Sequence, residues 1–379
     1  MTIYLDYNAT APLREEARSA MMAAFAAPGN PSSVHAVGRK ARSQIEDARR
    51  TMARALGAAP ADVIFTAGGT EANNLGLLGV ADANACTDIL LSSVEHSCIR
   101  VAACNAGLPL HTIPVTQDGV IDLAALQTAL DGLPVGARPL LALMMVNNET
   151  GVVQPVVEAA NMVHEAGGLI HVDAVQGFGK MPVSLGALDT DSLAVSAHKI
   201  GGPLGTGALA LACGTKLSPR SFGGGQESGH RGGTENVPGI LGFAAAVKAA
   251  LADLDHAKDI AILRDHLEQR LLSIAPDAVV VGGKAPRLCN TLCLATPGFA
   301  ADTQLMTMDL AGFAISSGSA CSSGKVKASV VMLAIGLPGD LPSCAIRISL
   351  GKATTREELD AFADAWGEAL VRAREKESA

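Results

Sequence analysis

Ser192-Leu193-Ala194-Val195-Ser196-Ala197-His198-Lys199 is a short apolar run that hands a lysine to the turn Gly201-Gly202-Pro203-Leu204-Gly205. Read backwards from it, runs of strand length and strand composition recur at residues 169–173, 140–146, 89–93 and 63–66. Helix-period stretches at 71–80, 121–130 and 156–166 lie between several of them. Strands this uniformly apolar must be covered on both faces, and crossover helices do that for parallel strands. The predicted fold class is therefore α/β, a largely parallel sheet with helices on both sides.

Past Pro238 an alanine- and leucine-rich segment runs towards residue 274 and reads as one long helix, after which shorter strands and helices end in a charged helix over 357–376. A chain of 379 residues exceeds the roughly 250–300 that one core usually serves. A large domain over residues 13–255 and a smaller α+β domain from residues 1–12 and 256–379 are expected. With 49% hydrophobic and 17% charged residues and no apolar run of bilayer length, the composition is that of a compact globular protein and excludes membrane and disordered classes. A net charge of -8 argues against stable nucleic-acid binding, which needs clustered Lys and Arg. The opening Met1-Thr2-Ile3-Tyr4-Leu5-Asp6 lacks the features of an export signal, so a cytoplasmic location is expected. Eight cysteines without a C-x-x-C pair read as free thiols, most of them small buried hydrophobes.

Function collects at strand ends and in glycine-rich loops. In Val63-Ile64-Phe65-Thr66-Ala67-Gly68-Gly69-Thr70-Glu71 a strand passes through two glycines into a helix, an arrangement that cradles an anion. Thr70 serves equally as an N-cap with Asn73 as its capping partner. In His171-Val172-Asp173-Ala174-Val175-Gln176 a carboxylate arrives at a strand end, where it suits a protonated ring nitrogen or simply caps the next turn. Lys199, at the edge of a sheltered pocket, is a candidate Schiff-base lysine, with Ser196 and His198 as phosphate donors; an isolated strand-end lysine is a solvated charge. Arg347 interrupts the apolar run Cys344-Ala345-Ile346-Arg347-Ile348-Ser349-Leu350 and so requires an anion, either a substrate carboxylate or a protein one.

These elements in this order resemble the fold-type I pyridoxal-phosphate enzymes, in their class V aminotransferase branch. Further motifs are similar to those of the NifS- and IscS-like cysteine desulfurases: Tyr4-Leu5-Asp6-Tyr7-Asn8-Ala9-Thr10-Ala11-Pro12, Gly29-Asn30-Pro31-Ser32-Ser33, Glu95-His96, Val146-Asn147-Asn148-Glu149-Thr150-Gly151 and Arg231-Gly232-Gly233-Thr234-Glu235-Asn236. The resemblance spans essentially the whole chain. It implies a seven-stranded, mostly parallel sheet and pyridoxal 5'-phosphate as cofactor. His96 would stack on the pyridine ring, Asp173 pair with its nitrogen, Gln176 contact its phenolic oxygen and Lys199 hold it as a Schiff base. Gly69, Thr70, Ser196 and His198 would bind the phosphate, and Thr234 would reach the phosphate of a second subunit in a homodimer. Asn148 and Arg347 would receive the substrate carboxylate.

The reaction type rests on Ser316-Ser317-Gly318-Ser319-Ala320-Cys321-Ser322-Ser323-Gly324, whose small residues offer no packing that would fix Cys321. The resemblance makes Cys321 the catalytic nucleophile, with Lys199 and His96 handling protons. L-cysteine would become L-alanine and leave a persulfide on Cys321, for delivery to a scaffold or carrier protein in iron-sulfur cluster assembly. Apart from a transient iron-sulfur contact at Cys321, no metal site is expected. A selenocysteine lyase or a class V aminotransferase would use the same cofactor constellation, and tRNA thiolation or DNA sulfur modification are the alternative destinations for the sulfur.

Overall fold

Strands buried along their whole length organise this chain, because all but one in its large sheet have to be enclosed on both faces. The structure, a computed structural model, describes residues 2–27, 29–317 and 329–377. Seven strands form the large sheet: β1 (Val63–Thr66), β2 (Asp88–Ser92), β3 (Leu110–Ile113), β4 (Pro139–Met144), β5 (Leu169–Asp173), β6 (Ser192–Ser196) and β7 (Gly207–Leu211). Their order is β1-β7-β6-β5-β4-β2-β3. All neighbours are parallel except that β7 runs antiparallel to both β1 and β6. Five of the seven were expected from apolar runs. β3 is missing from that reading because it is a half-exposed edge strand, and β7 because Gly207-Ala208-Leu209-Ala210-Leu211 has no β-branched residue.

Helices close both faces. On one side Ala36–Leu56, Leu123–Asp131, Val156–Glu165 and Val237–Ala252 pack on the sheet around Leu141, Leu143 and Val172. On the other, the helical stretch beginning at Gly69 and the helix Ser97–Cys104 cover Ile64, Leu91 and Ala142. The first of these contains a π-helical segment, Leu75–Gly79, which a straight-helix reading of 71–80 did not foresee. Two glycines in it allow close approach: a Cβ on Gly76 would lie 2.3 Å from the His171 ring, and one on Gly79 2.5 Å from the Ser218 carbonyl. The segment expected as one helix to residue 274 is two, Val237–Ala252 and Ala257–Ile274, bent by 51°. At the break Asp253 takes ion pairs from Arg14 and Lys352.

A separate core collects Leu5, Leu267, Leu271, Leu292, Phe299, Phe362 and Trp366. Its sheet has the order Ser316–Ser317, Ala345–Ser349, Thr291–Ala295, Val279–Val280, all antiparallel. Trp366 is fully buried there and its indole N–H donates to Gln304 Oε1 at 2.8 Å. The N-terminal strand Ile3–Tyr4 pairs with Phe313–Ala314, so the first residues belong to this core before the chain crosses to the large sheet. Of the seven described cysteines only Cys86, Cys293 and Cys344 are buried; Cys104 and Cys213 are exposed, so the thiols serve the core less than their composition suggested. Among the described residues, no single helix is long and apolar enough to cross a membrane.

One buried ion pair ties the glycine-rich loop 223–233 to this framework. Arg49 meets Glu227 through two nitrogens at 2.6 and 2.9 Å, and the same carboxylate accepts the Phe65 N–H at 2.9 Å. The guanidinium also lies 5.0 Å over the Phe65 ring. Glu227 and Ser228 are held at φ 46° and 55°, in the left-handed region, which these bonds help to offset. Removing one partner of such a pair leaves an uncompensated buried charge. Glu227→Ala is accordingly expected to destabilise the fold by about 3–5 kcal/mol in denaturant titration, whereas Arg18→Ala, which breaks a solvent-exposed pair with Glu15, should change it by less than about 1 kcal/mol.

Candidate active site

Residues two apart on a strand share a face, so β5 presents His171 and Asp173 to the same side. His171 is fully buried, and burial pulls its imidazole down to about 3, leaving it neutral with a single ring N–H. Its Nδ1 is 2.8 Å from Ser192 Oγ and its Nε2 3.1 Å from Asn73 Oδ1. With Ser192 donating to Nδ1, Nε2–H donates to the Asn73 carbonyl oxygen, and the Asn73 amide then donates to Asp173 Oδ2 at 2.8 Å. The Val175 N–H satisfies Asp173 Oδ1 at 2.9 Å. Burial pushes the Asp173 carboxyl above the usual range, opposed by the Val175 N–H, His96, Asn73 and Lys199.

His96 caps the helix Ser97–Cys104: its Nδ1 accepts the Cys98 N–H at 3.2 Å, with Cys98 Sγ 3.0 Å away. That leaves Nε2 to carry the proton of the neutral ring. Burial holds the imidazole below its ordinary range against the pull of Asp173. At the end of β6 the chain turns through Ala197–Ile200 and is closed by left-handed Gly201. Lys199 Nζ donates to the carbonyls of Asn8 and Ala9 at 2.6 and 2.9 Å. His198 Nδ1 meets Thr10 Oγ1 at 3.2 Å, and burial, then Lys199 and Lys180, bring this imidazole down to about 4.

The N-cap at the anion cradle is Gly68, at φ 151°, with Gly69 and Thr70 as the first two helical residues. Thr70 therefore does not act as the cap, and Asn73 turns to Asp173 instead of to Thr70. Gly69 is required by contact: a Cβ there would fall 2.8 Å from Val175 Cγ2.

A cavity of about 340 Å³ gathers Gly69, Thr70, His96, Asn148, Asp173, Gln176, Ser196, His198, Lys199 and Arg347. These are ten of the residues singled out from sequence, drawn from six separate segments. Thr234 is exposed and does not line it. Cys321 lies outside the described residues. Of the two anions that the sequence left open for Arg347, the structure shows the protein one: the guanidinium lines the cavity, pairs with Asp6 at 2.7 Å and donates to the Asn148 carbonyl at 2.9 Å, leaving its Nε without a described partner. Asn8, Lys180, His171 and Glu149 were quoted only within motifs or not at all. For His171 the signal was available, an imidazole two residues from Asp173 on a run of strand. Among the described residues, no group of three or more His, Cys, Asp or Glu converges as a metal site.

A family model for class-V aminotransferases matches residues 3–362. The chain belongs to the class-V aminotransferase family. A cysteine desulfurase of Cereibacter sphaeroides is 42% identical over 366 residues, covering 94% of this chain and 93% of that one. The NifS-like protein of Rickettsia africae superposes with a TM-score of 0.90 at 33% identity, over 98% and 100% of the two chains. A structure described as SspA in complex with cysteine matches with a TM-score of 0.78 at 29% identity, over 92% and 99%.

The cofactor of the family is pyridoxal 5'-phosphate, and the cavity has the chemistry to hold it. A buried carboxylate with two fixed donors faces a lysine amine, and Gly69 leaves room where any side chain would meet Val175. Asp173 would hold the pyridine N–H, Lys199 the aldehyde carbon, and Gly69, Thr70, Ser196 and His198 the phosphate.

Beside this cavity Glu149 is nearly enclosed, and burial pushes its carboxyl up to about 7, partly opposed by the Ser329 hydroxyl, Arg347 and Arg100. A carboxyl raised on folding binds its proton more tightly in the native state, so it stabilises at low pH and that contribution is lost as pH climbs from the unfolded value near 4.5 to about 7. Glu149→Gln removes the titration while keeping an acceptor for Ser329. Denaturation series at pH 5 and pH 8 should show the variant gaining about 1–3 kcal/mol relative to the parent at the higher pH.

Proposed function

We propose that this chain takes sulfur from L-cysteine onto Cys321 and releases L-alanine. The observation that carries the reading is the meeting, in one cavity, of a candidate cofactor lysine, a buried acid and a carboxylate-binding arginine whose strand is paired with the segment leading to Cys321. Ser316 stands opposite Arg347 in the antiparallel ladder, and its hydroxyl donates to Asp6 Oδ2 at 2.8 Å. At the other end of the Cys321 segment, the Ser329 hydroxyl donates to Glu149, the neighbour of Asn148. An extended chain covers about 3.3–3.6 Å per residue, so four residues beyond Ser317 span at most about 14 Å.

Arg347 and Asn148 receive the substrate carboxylate, the guanidinium through the bidentate geometry that suits it. Lys199 Nζ, held on the Asn8 and Ala9 carbonyls, takes the Cα proton. Bound pyridoxal phosphate supplies an electron sink for the resulting carbanion. Cys321 Sγ, as thiolate, attacks the substrate sulfur: the Cβ–S bond breaks with its electron pair left to carbon, an S–S bond forms, Cβ takes up the proton the substrate thiol gives up, and Lys199 returns its proton to Cα to give alanine. His96, neutral and carrying its proton on Nε2, is placed to donate during these transfers.

Pairing of two chains, with Thr234 serving the phosphate of the second copy, is part of the same proposal and is supported by the exposure of Thr234 beside the pinned loop. A cytoplasmic setting and a scaffold or carrier protein as the sulfur acceptor for iron-sulfur cluster assembly complete it. The test is alanine and persulfide formation from L-cysteine by the yellow protein and by Cys321→Ala. The variant should keep the colour and lose both products by roughly 10³-fold or more. Full activity in the variant would replace this reading with a thiol-independent lyase or aminotransferase.

A further inference from the structure

Among the described residues, Lys199 alone lines both the cavity at Asp173 and a second one. The second, of about 250 Å³, is lined by Tyr7, Lys180, Cys289 and Asn290, with Arg14 and Lys352 neutralised by Asp253 farther along its wall. Lys180 comes to this place because the chain after β5 coils tightly, with Gly177 and Phe178 both donating to the Ala174 carbonyl, which carries Lys180 back towards Gln176. Its ammonium donates to Gln176 Oε1 at 3.0 Å and to Asn8 Oδ1 at 3.2 Å. The backbone oxygen of the same Asn8 receives Lys199 Nζ at 2.6 Å and Gln176 Nε2 at 3.0 Å. Two lysine amines therefore bracket one asparagine.

This arrangement fixes two things. With an ammonium on Oε1, the Gln176 carboxamide has one tolerable orientation, because the flipped amide would set its NH₂ against the cation. Among the described residues Lys180 has no carboxylate on it: the charged and titratable groups that face it are Lys199, Arg347, His198 and the Cys289 thiol, which burial keeps protonated, while Lys199 is faced by Lys180, His96, His198 and the Asp173 carboxyl. A cation stabilised only by amide oxygens repels the protonated form of its neighbour. Burial, then Lys199, bring the Lys180 ammonium itself down to about 7, in keeping with this mutual repulsion.

We propose that Lys180 is a positioning residue for the reaction: it orients the Gln176 amide as a donor and, while it carries its proton, disfavours a second proton on the Lys199 amine. The inference rests on the reading of Lys199 as the cofactor lysine.

The amine can be read without turnover. The full chain, freed of cofactor, is labelled with an amine-directed reagent across a pH series, and modification of Lys199 is followed by peptide mass spectrometry for the parent, Lys180→Met, Lys180→Gln and Lys180→Arg. Loss of the cation in the first two variants should raise the midpoint of Lys199 by about one unit, roughly tenfold more protonated amine at a given pH, while the arginine variant keeps the parent value or falls below it. An unchanged midpoint in either neutral variant that melts like the parent overturns the proposal, as does a rise of equal size in Lys180→Arg. Lys199→Ala, reconstituted with pyridoxal phosphate and reduced with borohydride, separates the two levels. Cofactor fixed on another lysine defeats the reading of Lys199, and cofactor fixed nowhere in that variant leaves Lys180 to be judged by the midpoints alone.

Discussion

A carboxylate buried at the end of a central strand is the constraint around which this molecule is built. Asp173 has been removed from water at a cost that burial expresses as a raised protonation point, and what keeps it usable is a fixed set of donors. The Val175 N–H comes from its own turn, and the Asn73 amide is held in orientation by His171 and, behind that, Ser192. The line of hydrogen bonds has a direction only because His171 is neutral, and it is neutral because it is fully enclosed. The enclosure reaches back to helix geometry: without glycine at 76 the helix could not lie on the imidazole, and Asn73 would not arrive.

The second constraint is the strap of residues 6–10, which joins the two cores and crosses the cavity as it does so. Asp6 bridges to Ser349 in the smaller sheet and pairs with Arg347, while Asn8 and Ala9 offer their carbonyls to Lys199. One stretch of backbone therefore sets the distance between the arginine on one sheet and the lysine on the other. Relative motion of the two cores would be felt at both groups together, since the Lys180 and Lys199 nitrogens and the Arg347 guanidinium are all tied to this strap.

Much of this was legible in the chain. Apolar runs long enough for strands gave five of the seven strands in place, and the order of the glycine cradle, the Asp173 strand and the Lys199 turn fixed which ends had to converge. What escaped was set by three-dimensional packing. β7 lacks branched residues and β3 lies at an edge, so neither stands out by composition. The break at Asp253 depends on Arg14 and Lys352, from distant parts of the chain. Asn73 looked like a capping partner for Thr70 because both fit the local pattern; its true contact is a hundred residues away, and no local spacing encodes it. Lys180 was invisible for a related reason, since a lysine four residues past Gln176 is an ordinary surface residue until the N-terminal strap closes over it.

The cavity by itself does not choose between moving an amino group and moving sulfur, since an acid for the pyridine, a lysine and a carboxylate receptor serve both reactions. The distinction lies in how the Cys321 segment is tethered. Ser316 is paired in register with the strand bearing Arg347, so the ladder that places Arg347 in the cavity also positions the start of the segment. Its far end is tied through Ser329 to Glu149, beside the other carboxylate-binding residue. The two described ends of this segment, Ser316–Ser317 and Ser329, are thus both fixed beside the cavity, and tethering of that kind raises the effective concentration of a group carried between them.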